Sequence, residues 1–196
     1  MIVLASASKT RSELLKRAGV TAVRDPAAID EAEIKAAQRR KGAEPGVCAM
    51  ALAEAKALAV AGRRPEDLVI GADQLLACDG VWYDKPRDRA DAKAQLTALR
   101  GRAHELATAV CVARGQTVMW HDLQRPRLVM RPFGDVFLDN YVKALSRDDL
   151  GAVGAYRIEG HGLQLFERIE GDFFSILGLP LLPLMGFLRG QGVLDA

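Results

Sequence analysis

Cysteine is scarce, and neither sign of charge is in excess. The chain has 3 cysteines. Cys48, Cys78 and Cys111 are an odd, widely spaced set with no Cys-x-x-Cys. That argues against a disulfide framework or a cysteine zinc site and suits a reducing compartment. Lys plus Arg total 27 against 25 for Asp plus Glu, a formal +2. A protein that coats a nucleic-acid polymer carries a strong basic excess, so no such partner is expected. A local basic site for a small anion stays open. No long hydrophobic run exists either. The longest apolar segment, Val47 to Val60, is interrupted by Glu54 and Lys56, too short and too charged to span a bilayer. Met1 to Leu4 is strand-like and runs at once into a serine-rich turn, with no basic region before a long apolar stretch. A cytoplasmic protein with no membrane partner is the expectation.

Familiar catalytic templates are missing as well. There is no Gly-x-x-x-x-Gly-Lys-[Ser/Thr] loop, no Gly-x-Gly-x-x-Gly after a strand and no Gly-x-Ser-x-Gly elbow. His104, His121 and His161 lack the paired spacing of a histidine metal site. Trp82 and Trp120 read more readily as core or partner surface than as a base-stacking pair.

What remains is an ordinary globular composition, 49% hydrophobic and 27% charged over 196 residues. A chain of that length buries roughly 70% of its unfolded surface and needs no staples. It makes one domain, or one domain with two lobes. Ile2–Ala5 reads as a buried strand, followed by a turn at 6–11 and a helix with Leu14, Leu15 and Ala18 on one side. Thr10 and Glu13 have capping-box spacing, which puts that helix start inside the turn. Segment 21–45 is mixed, with a turn at Asp25-Pro26. Pro45 opens a long helix to about Ala61. Leu68–Ala72 reads as a second buried strand with Asp73 at its carboxyl end, and 75–83 as a hairpin turning at Asp79-Gly80. A helix capped by Asp88 follows, then two long strands over 103–113 and 117–131. A helix over 135–145, an irregular glycine-rich stretch at 151–162, a strand over 163–169 and a final helix from Pro180 complete the chain. The fold class is α/β with a mixed, twisted sheet.

Three features carry chemistry by position. The turn at 6–11 precedes a helix amino terminus, which offers unpaired N–H groups and a partial positive charge. Ser6 and Ser8 add hydroxyls there, and Lys9 and Arg11 add full charges, making a natural phosphate cradle. The plainer alternative is that Ser8 or Thr10 only caps the helix and Arg11 is solvated. Asp73, directly after five apolar residues, stands where α/β sheets gather ligands and could hold a divalent cation or accept a proton. Otherwise it merely begins a turn. Lys56 interrupts an apolar helix, and Lys85 is held extended by Pro86. Either alone reads as a solvated lysine; with Arg11 they could neutralise a polyphosphate.

Taken in order, these motifs resemble those of the Maf family of nucleoside triphosphate pyrophosphatases. The carriers are Leu4–Arg11 with Glu13-Leu14-Leu15, Asp30-Glu31, Leu52–Ala57, Gly71-Ala72-Asp73-Gln74, Lys85-Pro86, Gly154–Gly160 and Gly178-Leu179-Pro180. The resemblance covers nearly the whole chain. It implies a single domain over 1–196 of two lobes, an elongated inosine triphosphatase-like mixed sheet with the nucleotide in a central cleft. It also implies a Mg²⁺-dependent cut between the α and β phosphates, with Mn²⁺ a possible substitute, often in a homodimer. By that likeness Asp73 and Lys85 are catalytic, and Ser6, Ser8, Arg11, Lys56 and Lys85 bind substrate phosphates. Glu31 and Asp73 are the metal candidates. Glu159 and Gln74 look like the branch acting on 7-methyl-GTP, where dTTP and UTP hydrolases have Gln and Thr. Thr10 stands where that branch tends to have Trp. A carboxylate at 159 suits guanine's adjacent N–H donors and the positive charge of N7 methylation. Alternatives are a dTTP/UTP pyrophosphatase and a non-catalytic nucleotide-binding regulator of septum formation.

Overall fold

The computed structural model describes residues 1–195. In chain order the elements are β1 (Ile2–Leu4), α1 (Lys9–Arg17), β2 (Ala22–Arg24), α2 (Glu31–Arg40), α3 (Pro45–Ala61), β3 (Leu68–Cys78), β4 (Val81–Tyr83) and α4 (Arg89–Leu99). There follow β5 (Ala103–Arg114), β6 (Thr117–Gln124), β7 (Arg127–Met130), α5 (Asp135–Ala144), α6 (Arg147–Leu150), β8 (Phe166–Glu170), α7 (Phe173–Ile176) and α8 (Leu181–Gly190). Two short 3-10 turns lie between α6 and β8. The strands form one mixed sheet in the order β2-β1-β3-β5-β7-β8, with β4 on β3 and β6 on β5. No described helix is long and apolar enough to cross a membrane.

The chain divides into two compact units. The first holds Met1–Gln74, Ala107–Arg125 and Asp172–Ala196. In it β1 lies between β2 and β3, all parallel, Ile2 opposite Ala22 and Leu68. Its core packs Leu4, Leu15, Ile70, Val110, Leu184 and Leu188, with Trp120 against it. Trp120 stacks on Phe187 at 5.2 Å, so this tryptophan is a packing residue. The second unit holds Leu75–Leu106 and Pro126–Gly171. In it β4 folds back on the end of β3, β7 pairs with β5 and β8 with β7, all antiparallel. The three cysteines form no disulfide and are buried, as expected of thiols that serve as small apolar groups.

Several boundaries differ from the sequence reading. The strand expected to stop at Ala72 continues to Cys78. Leu75 and Leu76 are as buried as Ile70, so the apolar run passes through Asp73, which is an interior strand residue. The strand expected over 117–131 is broken at Arg125-Pro126 into β6 and β7, since proline has no N–H for a ladder. The helix of the opening turn is capped by Ser8, whose hydroxyl accepts from Arg11 N, and Thr10 lies inside α1. The capping box at Thr10 is thus not formed. The mixed segment 21–45 contains a full helix, α2, capped by Asp30. Residues 161–165 coil as a 3-10 turn before β8 begins at Phe166.

Candidate active site

The first unit's charged site begins with a missing side chain. A Cβ on Gly71 would stand 2.1 Å from the Ala53 carbonyl oxygen and 2.6 Å from Ala57 N. Glycine here, facing the alanine-rich side of α3, lets helix and strand backbones approach closely. That approach brings Lys56 of α3 to Asp73 of β3. Lys56 Nζ donates to Asp73 Oδ1 at 2.5 Å. The same ammonium meets Glu31 Oε1, from the first turn of α2, at 2.8 Å. Lys56 and Asp73 are 8% and 7% exposed. Charges so far from water persist only when paired. A solvated lysine, the plainer sequence alternative, is excluded for Lys56.

Beside this triad lies the serine turn. Ser6 Oγ accepts from Ser8 N and from Arg11 Nη1, both at 3.2 Å, and Ser8 Oγ accepts from Arg11 N at 3.3 Å. Both hydroxyl oxygens therefore act as acceptors, and each keeps its own O–H to donate. Arg11 is not solvated. Its Nε donates to the Gly178 carbonyl at 2.7 Å and its Nη1 to the Ala72 carbonyl at 2.8 Å. Burial lowers its pKa, opposed by the charges of Asp73 and Glu31; a guanidinium keeps its charge regardless. Arg24, which sequence reasoning missed, donates from Nη2 to the Ala7 carbonyl at 2.6 Å. Only its register opposite Leu4 places it there, and a single sequence has no sign of such pairing.

Of the residues assigned to base choice, Thr10 is half-buried in α1 and Gln74 half-buried in β3. The Gln74 amide nitrogen is surrounded by Thr108 Oγ1 at 2.9 Å, the Ser175 carbonyl at 3.0 Å and the Ile176 carbonyl at 3.1 Å. Glu159 and Lys85 belong to the second unit. Glu159 is exposed, and its Oε1 accepts from Arg157 Nε at 2.9 Å and meets Nη2 at 2.8 Å. That hydrogen bond raises the Arg157 pKa. Lys85 is exposed and precedes the buried Pro86.

Among the described residues no cluster of three or more His, Cys, Asp or Glu could hold a metal. Two carboxylates, Asp73 and Glu31, do converge on one ammonium. Mg²⁺ binds through one or two carboxylates and takes its remaining oxygens from substrate and water, so this pair fits it.

A mixed α/β sheet whose interior strand carries a buried acid paired with a buried lysine, with a second, half-exposed acid on the same ammonium and a serine-rich helix entry beside it, is an architecture of ligand-binding α/β proteins. The chain belongs to the Maf-like protein family, whose model matches residues 1–191. A nucleoside triphosphate pyrophosphatase of Granulibacter bethesdensis is 50% identical over 188 residues, 96% of this chain and 95% of that one. Another, of Paramagnetospirillum magneticum, is 48% identical over 98% of this chain and 99% of its own length. A 7-methyl-GTP pyrophosphatase of Rhizobium meliloti is 44% identical over all of this chain and 98% of that one.

Proposed function

We propose that the chain hydrolyses nucleoside triphosphates between the α and β phosphates, releasing the monophosphate and pyrophosphate, with Mg²⁺ and with 7-methyl-GTP among its substrates. The carrying observation is the buried Lys56–Asp73 pair, joined by the half-exposed Glu31, beside the Ser6–Arg11 turn. Buried charges of both signs gain nothing over apolar packing as mere structure, but they are what a polyanionic ester and its counter-ion require. Relatives named for this activity, at 48–50% identity over nearly full length, support the general reaction. Those named for 7-methyl-GTP, at 42–44%, support the narrower one.

Phosphoryl transfer needs positioning and charge neutralisation more than covalent help. Arg11 keeps Nη2 as the guanidinium nitrogen with no hydrogen bond among the described residues. With the Ser6 and Ser8 hydroxyls it donates to phosphate oxygens. Lys56 leaves the carboxylates to neutralise the chain of phosphates, and Asp73 accepts the proton of the water that attacks the α phosphorus. The bond from that phosphorus to the bridging oxygen breaks, and pyrophosphate departs with the electron pair. A divalent cation held by Asp73 and Glu31 would supply charge compensation for the departing group. Lys85 enters as a further phosphate-binding cation, and Glu159 as the acceptor for a cationic guanine, both on the motif resemblance.

One panel tests this: purified protein with Mg²⁺, Mn²⁺ or EDTA, offered 7-methyl-GTP, GTP, dTTP and UTP, with pyrophosphate and monophosphate quantified. Turnover is expected with metal and absent in EDTA. Asp73→Asn lowers kcat by about a thousandfold while nucleotide binding persists. Phosphate release in place of pyrophosphate, or an Asp73→Asn protein at full speed, overturns the assignment. Glu159→Gln shifts relative rates from 7-methyl-GTP toward dTTP and UTP; unchanged ratios remove Glu159 from base recognition.

A further inference from the structure

We infer that Arg24 is a positioning residue for the Ser6–Ser8 turn. Its guanidinium fixes the Ala7–Ser8 peptide plane, and with it the direction in which the serine hydroxyls donate. The inference rests on the polyphosphate reading above and concerns how that cradle is aimed. A peptide unit is planar and trans, so its C=O and its N–H point in opposite directions. Here both ends of one unit are held. The Ala7 carbonyl accepts from Arg24 Nη2 at 2.6 Å, and on the far side Ser8 N donates to Ser6 Oγ at 3.2 Å. Arg11 Nη1 takes the other lone pair of that oxygen, also at 3.2 Å. With both lone pairs engaged, the hydrogen of Ser6 is the part of the hydroxyl left to meet a ligand. Ser8 starts from the same plane, and its Oγ accepts from Arg11 N at 3.3 Å. Ser6 is buried and Ala7 exposed. Arg11 thus anchors the buried end of the turn, and Arg24 its open end.

Arg24 is itself held in place. It ends β2 opposite Leu4, the last residue of β1. The next residue, Asp25, donates its N–H to the Leu4 carbonyl at 3.0 Å. The Asp25 carboxylate accepts from Arg63 Nη2 at 2.5 Å and from Arg64 Nε at 2.6 Å, just past the end of α3. Bonds between ionised partners are the strong ones. The strand end from which Arg24 reaches is therefore tied to β1 by its backbone and to the α3 terminus by its next side chain. Water could take the place of Arg24 on the Ala7 carbonyl, but a water molecule has no such base. It would satisfy the carbonyl without fixing its direction. The exposed plane then rotates, Ser8 N–H leaves Ser6 Oγ, and the two hydroxyl hydrogens lose their common aim. The loss falls on phosphate binding, whatever the base.

The test uses Arg24→Met, which keeps the apolar stem and removes the donors, alone and combined with Ser6→Ala. Initial rates are measured on 7-methyl-GTP, GTP, dTTP and UTP with Mg²⁺, and exchange of the Ser8 N–H with water is followed by NMR. Arg24→Met is expected to raise KM about tenfold by one common factor for every base, with kcat within about twofold of the parent. That split marks an interaction made equally in the ground and transition states. In the Ser6→Ala background Arg24→Met adds less than about threefold, because the hydroxyl that it aims is gone. The Ser8 N–H exchanges faster in Arg24→Met than in the parent. A KM unmoved by Arg24→Met, or a change in base ratio, overturns the inference. So does an increment as large in the Ser6→Ala background as in the parent, which would make Arg24 a separate contact to substrate. A wild-type protein that turns over no nucleotide sinks the pyrophosphatase reading instead. Ser8 N–H exchange then decides the plane by itself: faster in Arg24→Met upholds it, and unchanged overturns it.

Discussion

Each unit of the molecule holds a lysine–aspartate pair, and the two are equally short. Lys56–Asp73 in the first unit and Lys93–Asp139 in the second both measure 2.5 Å. Their surroundings differ. The side chains of the first pair are each 10% exposed, those of the second 49% and 46%. Water has already stabilised the ions of the second pair, so closing the gap adds little. In the first, water is largely excluded, Lys56 meets Glu31 as well as Asp73, and the buried ions depend on each other. The units also differ in what else they bury. Ser6, Thr108 and Ser175 are further buried polar side chains of the first unit. In the second, the buried titratable side chains are Cys78, His104, Tyr141 and Tyr156, and burial disfavours the charged form of all four. Distance alone thus says nothing about function. Burial of several charges around one point, reached from separate elements, does.

The sharpest way to break the comparison is to delete one ammonium. Lys56→Met leaves the buried Asp73 without its cation, beside the half-exposed Glu31, and is expected to cost about 3 kcal/mol of unfolding free energy. Denaturant titration measures it. Adding Mg²⁺ should then recover more stability in Lys56→Met than in the unaltered protein, because the two carboxylates take the ion that replaces the lost charge. A variant as stable as the parent, indifferent to Mg²⁺, would mean that the triad is incidental to the fold and holds no metal.

How far the sequence reveals this site depends on whether its signals are local. Pro45 opening α3 and Asp88 capping α4 are local devices, and the elements they start lie where expected; α1 also starts inside the turn at 6–11, but its cap is Ser8 and not the Thr10 of the expected box. Asp73 and Lys56 are visible as charges in apolar runs, a pattern that needs a partner even when the partner is unknown. The partner comes from Gly71, whose absent Cβ brings α3 onto β3; a glycine inside a strand pattern is itself the signal of close backbone approach. The hydrogen bonds of Thr108 with Gln74 and the Ser175 carbonyl give no such sign. Thr108 follows Ala107 in an unremarkable strand, and its neighbours lie 34 and 67 positions away. Helix α2 was legible in its composition but was masked by the turn before it, while the break at Pro126 required weighing one proline against a long β-like run.

A smaller effect sharpens the second unit's half of the comparison. His104 is buried, its Nε2 is 2.7 Å from the Tyr156 hydroxyl, and its Nδ1 has no partner among the described residues. Desolvation lowers its pKa from 6.5 to about 4. Between those values the unfolded chain binds a proton that the folded one refuses, so stability is full above pH 6.5 and falls as the solution is acidified. From pH 7 to pH 5 the loss is about 2 kcal/mol. His104→Gln keeps a hydrogen-bonding group for Tyr156 and removes the titration. The variant should lose correspondingly less stability over that interval when unfolding is measured at both pH values. Equal losses would show that the imidazole is not held neutral by its surroundings.

The smallest effect is the one that makes the comparison strict. The Lys93 hydrogen bond lowers the Asp139 pKa, as any ammonium at that distance would, yet both side chains remain half in water. Lys93→Met removes a charge at the same distance as in the Lys56 pair, and leaves a carboxylate that is half in water where Asp73 is buried. Its unfolding midpoint should stay where it was in low salt, its turnover should be unchanged, and Mg²⁺ should have the same effect on it as on the parent. A loss as large as that of Lys56→Met would mean that the 2.5 Å contact itself, and not the exclusion of water around it, sets the energetics. The distinction between a surface pair and a built site would then have to rest on Glu31 and Arg11 alone.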